Sequence, residues 1–212
     1  IFDRALYSTS TAFEVGLVVA VLATLLGGVL GALAGFFSAR WTDEIVLWLM
    51  GVLDSIPFYL LVAAIAFALA GNPYSMHVAM IATFWTTTAR LVRGEVIKLR
   101  NLEFVEAAHA IGVGELTIIF RHILPNTLHI LLVQATITFV AAIKSEVILS
   151  FLGLGVKDGM SWGLMIAEST FEVLGGFFNN FIAASLMMFG LVMAFNMFSD
   201  ALQDALDPRK VS

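Results

Sequence analysis

The chain has 212 residues, of which 60% are hydrophobic and 13% are charged, and its formal net charge is −5. An ordinary soluble domain has about 25% charged residues, and a chain this apolar has too little polar surface to cover one globular core. These values exclude an ordinary cytosolic protein and argue against a nucleic-acid partner. There is no cysteine, and the four histidines are widely spaced, so we expect no metal site and no other cofactor.

Apolar blocks long enough to cross a bilayer, about 20 residues each, recur along the chain. They predict an all-α, polytopic integral membrane protein. A Gly-Asn-Pro turn at 71–73 divides the longest block into two spans. The five predicted spans cover residues 13–37, 45–70, 76–94, 126–149 and 177–200.

Lysine and arginine are concentrated between the third and fourth predicted spans. Residues 90–125 hold five of the 11 lysines and arginines. Cytoplasmic loops carry an excess of these residues, so we expect this loop and the C-terminus to be cytoplasmic. If the loop after the third span is cytoplasmic, the N-terminus before the first of the five spans lies outside. We therefore expect the native gene product to have one more span at its N-terminal end.

The first predicted span carries glycines at a four-residue spacing, namely Gly27, Gly31 and Gly35. This spacing places the three glycines on one face of a helix. Small residues on one face allow a second backbone to approach closely, which is how helices associate in lipid. The pattern predicts a helix-packing surface.

Ionisable residues inside the predicted spans are unfavourable in a bilayer, by ~2.5–3.5 kcal/mol on insertion scales. The second span contains Asp54 and then Pro57, which should bend the helix because proline lacks an N–H. The fourth span contains Lys144 and Glu146, which are two apart and cannot face each other on a helix. Asp54 and Lys144 differ in depth by over two turns, so we expect no pairing between them and expect Lys144 to reach the outer interface. The four residues fit either structural contacts in a pathway wall or an ion relay.

The internal segment 95–125 is the least apolar part of the chain and predicts two short helices. The run 102–111 is rich in helix formers, and Gly112-Val113-Gly114 should end it. A shorter helix is predicted over 115–122, and Pro125 suits the first turn of the fourth span. We expect a helix–glycine–helix elbow against the inner face of the membrane.

Two acidic residues, Glu103 and Glu106, lie three apart on the first elbow helix. Glu106 has no lysine or arginine three or four residues away, so the helix itself offers no basic partner. The carboxylates are either solvated or matched by a basic partner from another chain. Spacing alone favours solvation.

The elbow also contains a pattern found in transport proteins. Glu106-Ala107-Ala108, followed by Gly112 and by Leu124-Pro125, resembles the EAA loop of permease subunits of bacterial ABC importers. The fuller segment EFVEAAHAIGVGELTIIFRHILPN is similar to the version in the dipeptide, oligopeptide and nickel importer family. Three other stretches agree in order and spacing: ARLVRGEV at 89–96, SEVILSFLGLGV with SWG at 145–156 and 161–163, and ALQDALDPR at 201–209.

The resemblance implies partners and a mechanism. In this family two permeases pair, two ATPase subunits dock on the cytoplasmic face, and an extracytoplasmic binding protein delivers solute. The elbow would enter an ATPase cleft, where Glu106 would meet a basic residue, and would transmit closure of the nucleotide sites to the pathway. The positions that the resemblance assigns to the ATPase interface are Glu103, Glu106, Ala107, Ala108, Gly112, Leu124 and Pro125. On this basis Glu106→Lys or Gly112→Pro should leave the protein inserted but uncouple ATP hydrolysis from uptake.

The segment 151–176, which contains Gly153, Gly155, Trp162 and Gly163, is too polar and glycine-rich to be a span. We predict an interfacial outer loop with Trp162 at the level of the lipid headgroups. By resemblance, this loop would help to close the outer mouth of the pathway and would meet the binding protein.

The sequence therefore predicts a single permease domain over 1–212, in a bacterial inner membrane, importing peptides or similar small solutes. The chain has no G-x-x-x-x-G-K-[ST] segment, so we expect a non-catalytic subunit that a partner powers. The alternative is an autonomous proton- or ion-coupled transporter that uses Asp54 and Glu146. Peptide, nickel chelate and other small solutes all remain open as cargo.

Overall fold

A computed structural model describes residues 1–69, 71–155 and 159–206, and every regular element in these ranges is helical. The helices are α1 (Phe2–Phe36), α2 (Trp41–Asp54), α3 (Phe58–Ala68), α4 (Ser75–Leu99), α5 (Glu103–Ala110), α6 (Glu115–Thr117), α7 (Leu128–Phe151), α8 (Trp162–Leu174) and α9 (Asn179–Leu206). Position 70 of the second predicted span, positions 156–158 of the outer segment and the C-terminal residues 207–212 lie outside the described ranges. The predicted all-α fold is confirmed.

Among the described residues, three helical segments are long and apolar enough to cross a membrane: Phe2–Phe36, Glu115–Phe151 and Asn179–Leu206. The bent pair formed by α2 and α3 would make a fourth if it counts as one span. The remaining predicted span corresponds to α4, whose 25 residues extend about 38 Å. Charged residues in the C-terminal half of α4 keep its mean hydropathy below that of the other spans.

Two predictions about the extent of helices differ most from the structure. The first span was expected to begin at residue 13, but α1 begins at Phe2. Its extra turns bury Ala5, Ser8 and Ala12, so the packed face of the helix continues to its N-terminal end. The separate helix predicted at 115–122 is instead continuous with α7 through a wide π-helical turn and a tight turn at Leu124–Thr127 that contains Pro125. Proline lacks the N–H of a regular α-helix, which suits such a junction.

Glycines bring α1 and α4 into backbone contact. At each of three glycines, an added Cβ would lie within 2.7 Å of a carbonyl oxygen of α4. The pairs are Gly27 with Trp85, Gly31 with Ala89 and Gly35 with Arg93, at 2.5, 2.5 and 2.7 Å. Residue numbers rise together along both helices, so α1 and α4 run parallel, as expected for the first and third of consecutive spans.

The bend at Pro57 divides the second predicted span more completely than the sequence suggested. Pro57 precedes the first residue of α3 with a φ of −53°, and the axes of α2 and α3 meet at 94°. With 11 residues, α3 extends about 16 Å, which is half the hydrocarbon thickness of a bilayer. Asp54, the last residue of α2, therefore lies at a helix end next to the bend.

The two ends of α1 contact different parts of the molecule. Near its start, the indole Nε1 of Trp162 donates to the carbonyl of Ala5 at 2.9 Å. At its end, Phe36 stacks on His109, with 6.1 Å between ring centroids. These ends are about 46 Å apart along the helix, so α8 and α5 lie at opposite ends of the molecule. Trp162 is 0% exposed, so the prediction that it sits among lipid headgroups is wrong: it packs inside the protein.

Candidate functional site

The first part of the candidate site is the elbow, which we define as residues 103–127. Its first helix, α5, ends in a Schellman motif centred on Gly112, whose φ is +81°. The N–H of Val113 donates to the carbonyl of Ala108, and the N–H of Gly112 donates to that of His109, both at 3.0 Å. A positive φ at this position favours glycine. The first elbow helix therefore ends at glycine as predicted, and the conformation of Gly112 sets the angle of the elbow.

Apolar side chains attach the elbow to the ends of α1 and α4. Val105 and Ala108 of α5 are buried against Val92 and Val96 of α4 and Ala32 of α1. The second half of the elbow completes the same core with buried isoleucines at positions Ile118, Ile119 and Ile123. The elbow and the ends of α1 and α4 therefore form one packed unit.

The surface of the elbow that faces away from this core is exposed and carries both acidic and apolar residues. Glu103 and Glu106 are exposed and form no ion pair or hydrogen bond with any described residue. In the same segment, Ile111 is 81% exposed and Leu116 is 59% exposed. An exposed segment that carries both unpaired charges and large apolar side chains is a candidate protein interaction surface. Sequence analysis did not identify Ile111 or Leu116, because an isolated apolar residue beside a glycine is equally typical of a packed core.

The remaining predicted interface residues divide between the two sides of the elbow. Ala107 is exposed beside Glu106, whereas Ala108 is buried in the core. Leu124 is half-buried and Pro125 is exposed. The EAA triplet thus presents its first two residues outward and uses the third as an anchor.

The second part of the candidate site is a row of three cavities, each named here after one polar residue. Two of them are lined by α7, and the third lies at the bend between α2 and α3, against α4. The Lys144 cavity, about 390 Å³, is lined by residues that include Phe58, Phe84, Ile137, Lys144, Ser145 and Asn196. The His129 cavity, about 480 Å³, includes His129, Val133, Gln134, Ile137 and Gln203. The Asp54 cavity, about 310 Å³, includes Asp54, Pro57, Phe58, Thr83, Phe84 and Thr86. The first two share Ile137, and the first and third share Phe58 and Phe84, so the three are adjacent.

A single face of α7 lines the Lys144 and His129 cavities. Ile130, Val133, Ile137, Ala141 and Lys144 contribute to the cavities, and their spacing of three or four residues places them on one side of a helix. The side chains of this face lead from the start of α7 to Lys144, about 24 Å along the helix axis.

Asp54 and Lys144 do not pair. The carboxylate of Asp54 instead forms an ion pair with the guanidinium of Arg90 on α4 and accepts a hydrogen bond from Thr86 at 3.4 Å. Lys144 is exposed and lines its cavity. Sequence analysis missed Arg90 as the partner, because residues 36 positions apart carry no local signal of contact.

Glu146 lies on a different side of α7 from Lys144 and is 0% exposed. Its Oε1 accepts a hydrogen bond from the Ser150 hydroxyl at 2.6 Å. Its Oε2 has no partner among the described residues. The structure thus brings Glu146 together with neither Asp54 nor Lys144.

The predicted outer segment packs closely on the end of α7. Gly153 ends α7 with a φ of +77°, and the N–H of Leu154 donates to the carbonyl of Leu149 at 2.8 Å. Positions Gly155 and Gly163 both face Ser150, with no room for a Cβ at either glycine. The segment is also more regular than predicted, because α8 occupies half of it. With 13 residues, α8 extends about 20 Å and is too short to span a bilayer.

An elbow that joins the ends of two membrane helices, together with cavities along a third, invites comparison with transport proteins. Residues 27–212 match the family described as binding-protein-dependent transport system inner membrane component. The chain belongs to this family. The resemblance of its motifs to peptide-importer permeases is therefore confirmed.

Curated relatives within this family are similar over almost the whole chain. The dipeptide transport system permease protein DppC of Bacillus subtilis is 34% identical over 99% of this chain and 65% of its own length. A DppC protein of Alkalihalophilus pseudofirmus is 37% identical over 100% of this chain and 69% of its own. The glutathione transport system permease protein GsiD of Pectobacterium atrosepticum is 35% identical over 99% of this chain and 69% of its own length. The chain thus spans about two-thirds of the length of these relatives.

Two solved structures share the fold. The MetNI methionine ABC transporter in inward-facing conformations aligns with a TM-score of 0.68 at 16% identity, covering 96% of each chain. An amino acid ABC transporter crystallised with histidines aligns with a TM-score of 0.68 at 14% identity, covering 96% of this chain and 94% of the other. At such identities the likeness establishes the helical arrangement.

Proposed function

We propose that the chain is the permease subunit of an ATP-driven importer of peptides, forming half of a translocation pathway across a bacterial inner membrane. Residues 1–212 act as one permease domain, with the elbow and the C-terminus in the cytoplasm. Its partners are a second homologous permease, two ATPase subunits and an extracytoplasmic solute-binding protein. The subunit is non-catalytic, and its energy comes from the ATPases.

The single observation that carries this proposal is the exposed surface of the elbow. Glu103 and Glu106 have no partner in the described chain, and Ile111 and Leu116 leave apolar area uncovered in the same segment. An ATPase cleft with basic and apolar residues would satisfy both kinds of group. Because the inner side of the elbow shares a core with α1 and α4, a movement of the ATPase would reach the membrane helices.

The relatives support peptides as the cargo, since two of them are dipeptide permeases and one is a glutathione permease by description. The ion-relay alternative has weaker support. Asp54 is held by Arg90, and Glu146 is completely buried. The two carboxylates also share no cavity, because Asp54 lines the cavity beside Pro57 and Glu146 lines none of the three.

The energy source separates the two functions in reconstituted vesicles. The full complex is reconstituted with ATP enclosed on the ATPase side, and uptake of a radiolabelled dipeptide delivered by the binding protein is measured. The proposal requires uptake that depends on ATP hydrolysis and survives collapse of the proton gradient. Uptake that is driven by a proton gradient without ATP would contradict it.

A second experiment tests the elbow itself. In the assembled complex, Glu106→Lys should abolish uptake by opposing a basic partner, while ATPase activity and subunit assembly persist. Gly112→Ala should weaken coupling because alanine is strained at a φ of +81°. Its matched control is Gly114→Ala, since Gly114 has a φ of −67° and open space around an added Cβ. Coupled transport by Glu106→Lys at the wild-type rate would show that the elbow does not meet the ATPase through this surface.

A further inference from the structure

The Lys144 cavity contains three polar groups that the described part of the chain leaves without partners. Lys144 forms no ion pair or hydrogen bond with any described residue, and the same is true of the Ser145 hydroxyl and the Asn196 side-chain amide. Unpartnered polar groups are costly at membrane depth, and a lysine charge is costlier still. Lys144 and Asn196 are exposed, so water, a neighbouring subunit or an entering molecule can satisfy these groups.

The lining of the cavity indicates what kind of molecule fits. No acidic side chain is among its lining residues, so Lys144 gives it a net positive charge. Phe58 and Phe84 form an apolar wall, with 4.9 Å between their ring centroids. The volume of about 390 Å³ is within the ~300–1,000 Å³ range of small-molecule sites. This combination suits a small molecule with one anionic group and an apolar body.

The position of the cavity suits a molecule in transit. The Lys144 cavity is the middle member of the row, because it shares Ile137 with the His129 cavity and shares Phe58 and Phe84 with the Asp54 cavity. A site between two further cavities suits a solute that binds temporarily and then moves on.

We propose that the Lys144 cavity binds the carboxylate of the solute as it crosses the membrane. The ammonium of Lys144 is the charged partner, Ser145 and Asn196 donate further hydrogen bonds, and the Phe58–Phe84 wall contacts the apolar part of the solute. This inference rests on the proposed import function and adds to it the chemical group that the permease recognises.

The test compares dialanine with dialanine amide, which lacks the carboxylate, in the reconstituted complex. For each peptide, uptake by a variant is divided by uptake by the wild type, so that any preference of the binding protein cancels. Lys144→Gln should lower the ratio for dialanine about tenfold, the effect of losing one charge-assisted hydrogen bond. The ratio for dialanine amide should stay near one. Lys144→Arg should retain uptake of both peptides.

Chemical rescue provides a second measurement, because the sequence contains no cysteine. Lys144→Cys should lose dialanine uptake selectively. Treatment with 2-aminoethyl methanethiosulfonate attaches an ammonium group at this position and should restore that uptake. Methyl methanethiosulfonate attaches a neutral group of similar chemistry and should not. The wild-type complex, treated with each reagent, controls for cysteines of the partner subunits.

The outcomes separate this inference from the function on which it rests. An equal loss of both peptides in Lys144→Gln would overturn the inference and indicate an ion pair with a neighbouring subunit. No loss of either peptide would overturn it as well. In both cases ATP-driven uptake by the wild type would leave the proposed function intact. A wild-type complex that imports neither peptide would overturn peptide import and the inference together.

Discussion

Arg93 of α4 donates two hydrogen bonds to the carboxylate of Asp43 in α2, at 2.6 Å from Nε and 2.9 Å from Nη2. The Asp43 side chain is 4% exposed and also accepts a hydrogen bond from the backbone N–H of Ala39 at 3.0 Å. Ala39 has a φ of +65°, which is unusual for a residue other than glycine. The ion pair therefore fixes the connection between α1 and α2 onto α4, next to the elbow.

Arg93→Ala should destabilise the protein by about 3 kcal/mol, because it leaves the Asp43 charge buried without its partner. The measurement is the thermal unfolding midpoint of the purified protein in detergent. Lys98→Ala is the control, since Lys98 pairs with Glu95 at 2.9 Å but its side chain is 75% exposed, and exposed pairs contribute ~0–1 kcal/mol. Equal midpoints for the two variants would contradict a structural role for the Asp43–Arg93 pair.

Gly31→Ala should destabilise the α1–α4 contact by about 1–3 kcal/mol, the usual effect of overpacking. The new Cβ would lie 2.5 Å from the carbonyl oxygen of Ala89, and a backbone atom cannot move aside without shifting the helix. Gly51→Ala is the matched control, because an added Cβ there meets nothing within 4 Å. Alanine at position 51 should be neutral or stabilising, since it favours helix over glycine. Unfolding in a denaturant series measures both, and a neutral Gly31→Ala would exclude the close approach of the two helices.

Trp162→Phe should lower stability by about 1–3 kcal/mol. It removes the hydrogen bond from the indole to Ala5 and part of a completely buried side chain. Trp48→Phe provides the comparison, since Trp48 is 66% exposed and should tolerate the change. The measurement is the thermal unfolding midpoint of each variant. If Trp48→Phe proved to be the more damaging change, α8 would not be anchored to α1 through Trp162.

Local features of the fold could be predicted because they depend on neighbours in the chain. The stop at Gly112 follows from the conformational freedom of glycine, and the break at Pro57 follows from the missing N–H of proline. The glycine face of α1 follows from helical periodicity. The length of α1 was underestimated, because residues 2–12 are too polar for a membrane span, yet Ala5, Ser8 and Ala12 bury against other helices.

Contacts between distant parts of the chain could not be predicted in the same way. The rotation of one helix against another decides that Asp54 meets Arg90, and that Trp162 lies inside the protein rather than at the membrane surface. The same applies to the candidate site: motif spacing identified Glu106, but the exposure of Ile111 and Leu116 appeared only once the elbow was packed on α1 and α4.

The amino-acid sequence alone determined that this protein is a helical membrane protein with an elbow between two spans, because hydropathy, glycine and proline act over a few residues. Only the tertiary structure decided which face of each helix is buried, which charges pair, and that Lys144 points into a cavity. The physical reason is that apolar helices in lipid associate through close packing and polar contacts across the whole fold, and those contacts join residues that the chain keeps far apart.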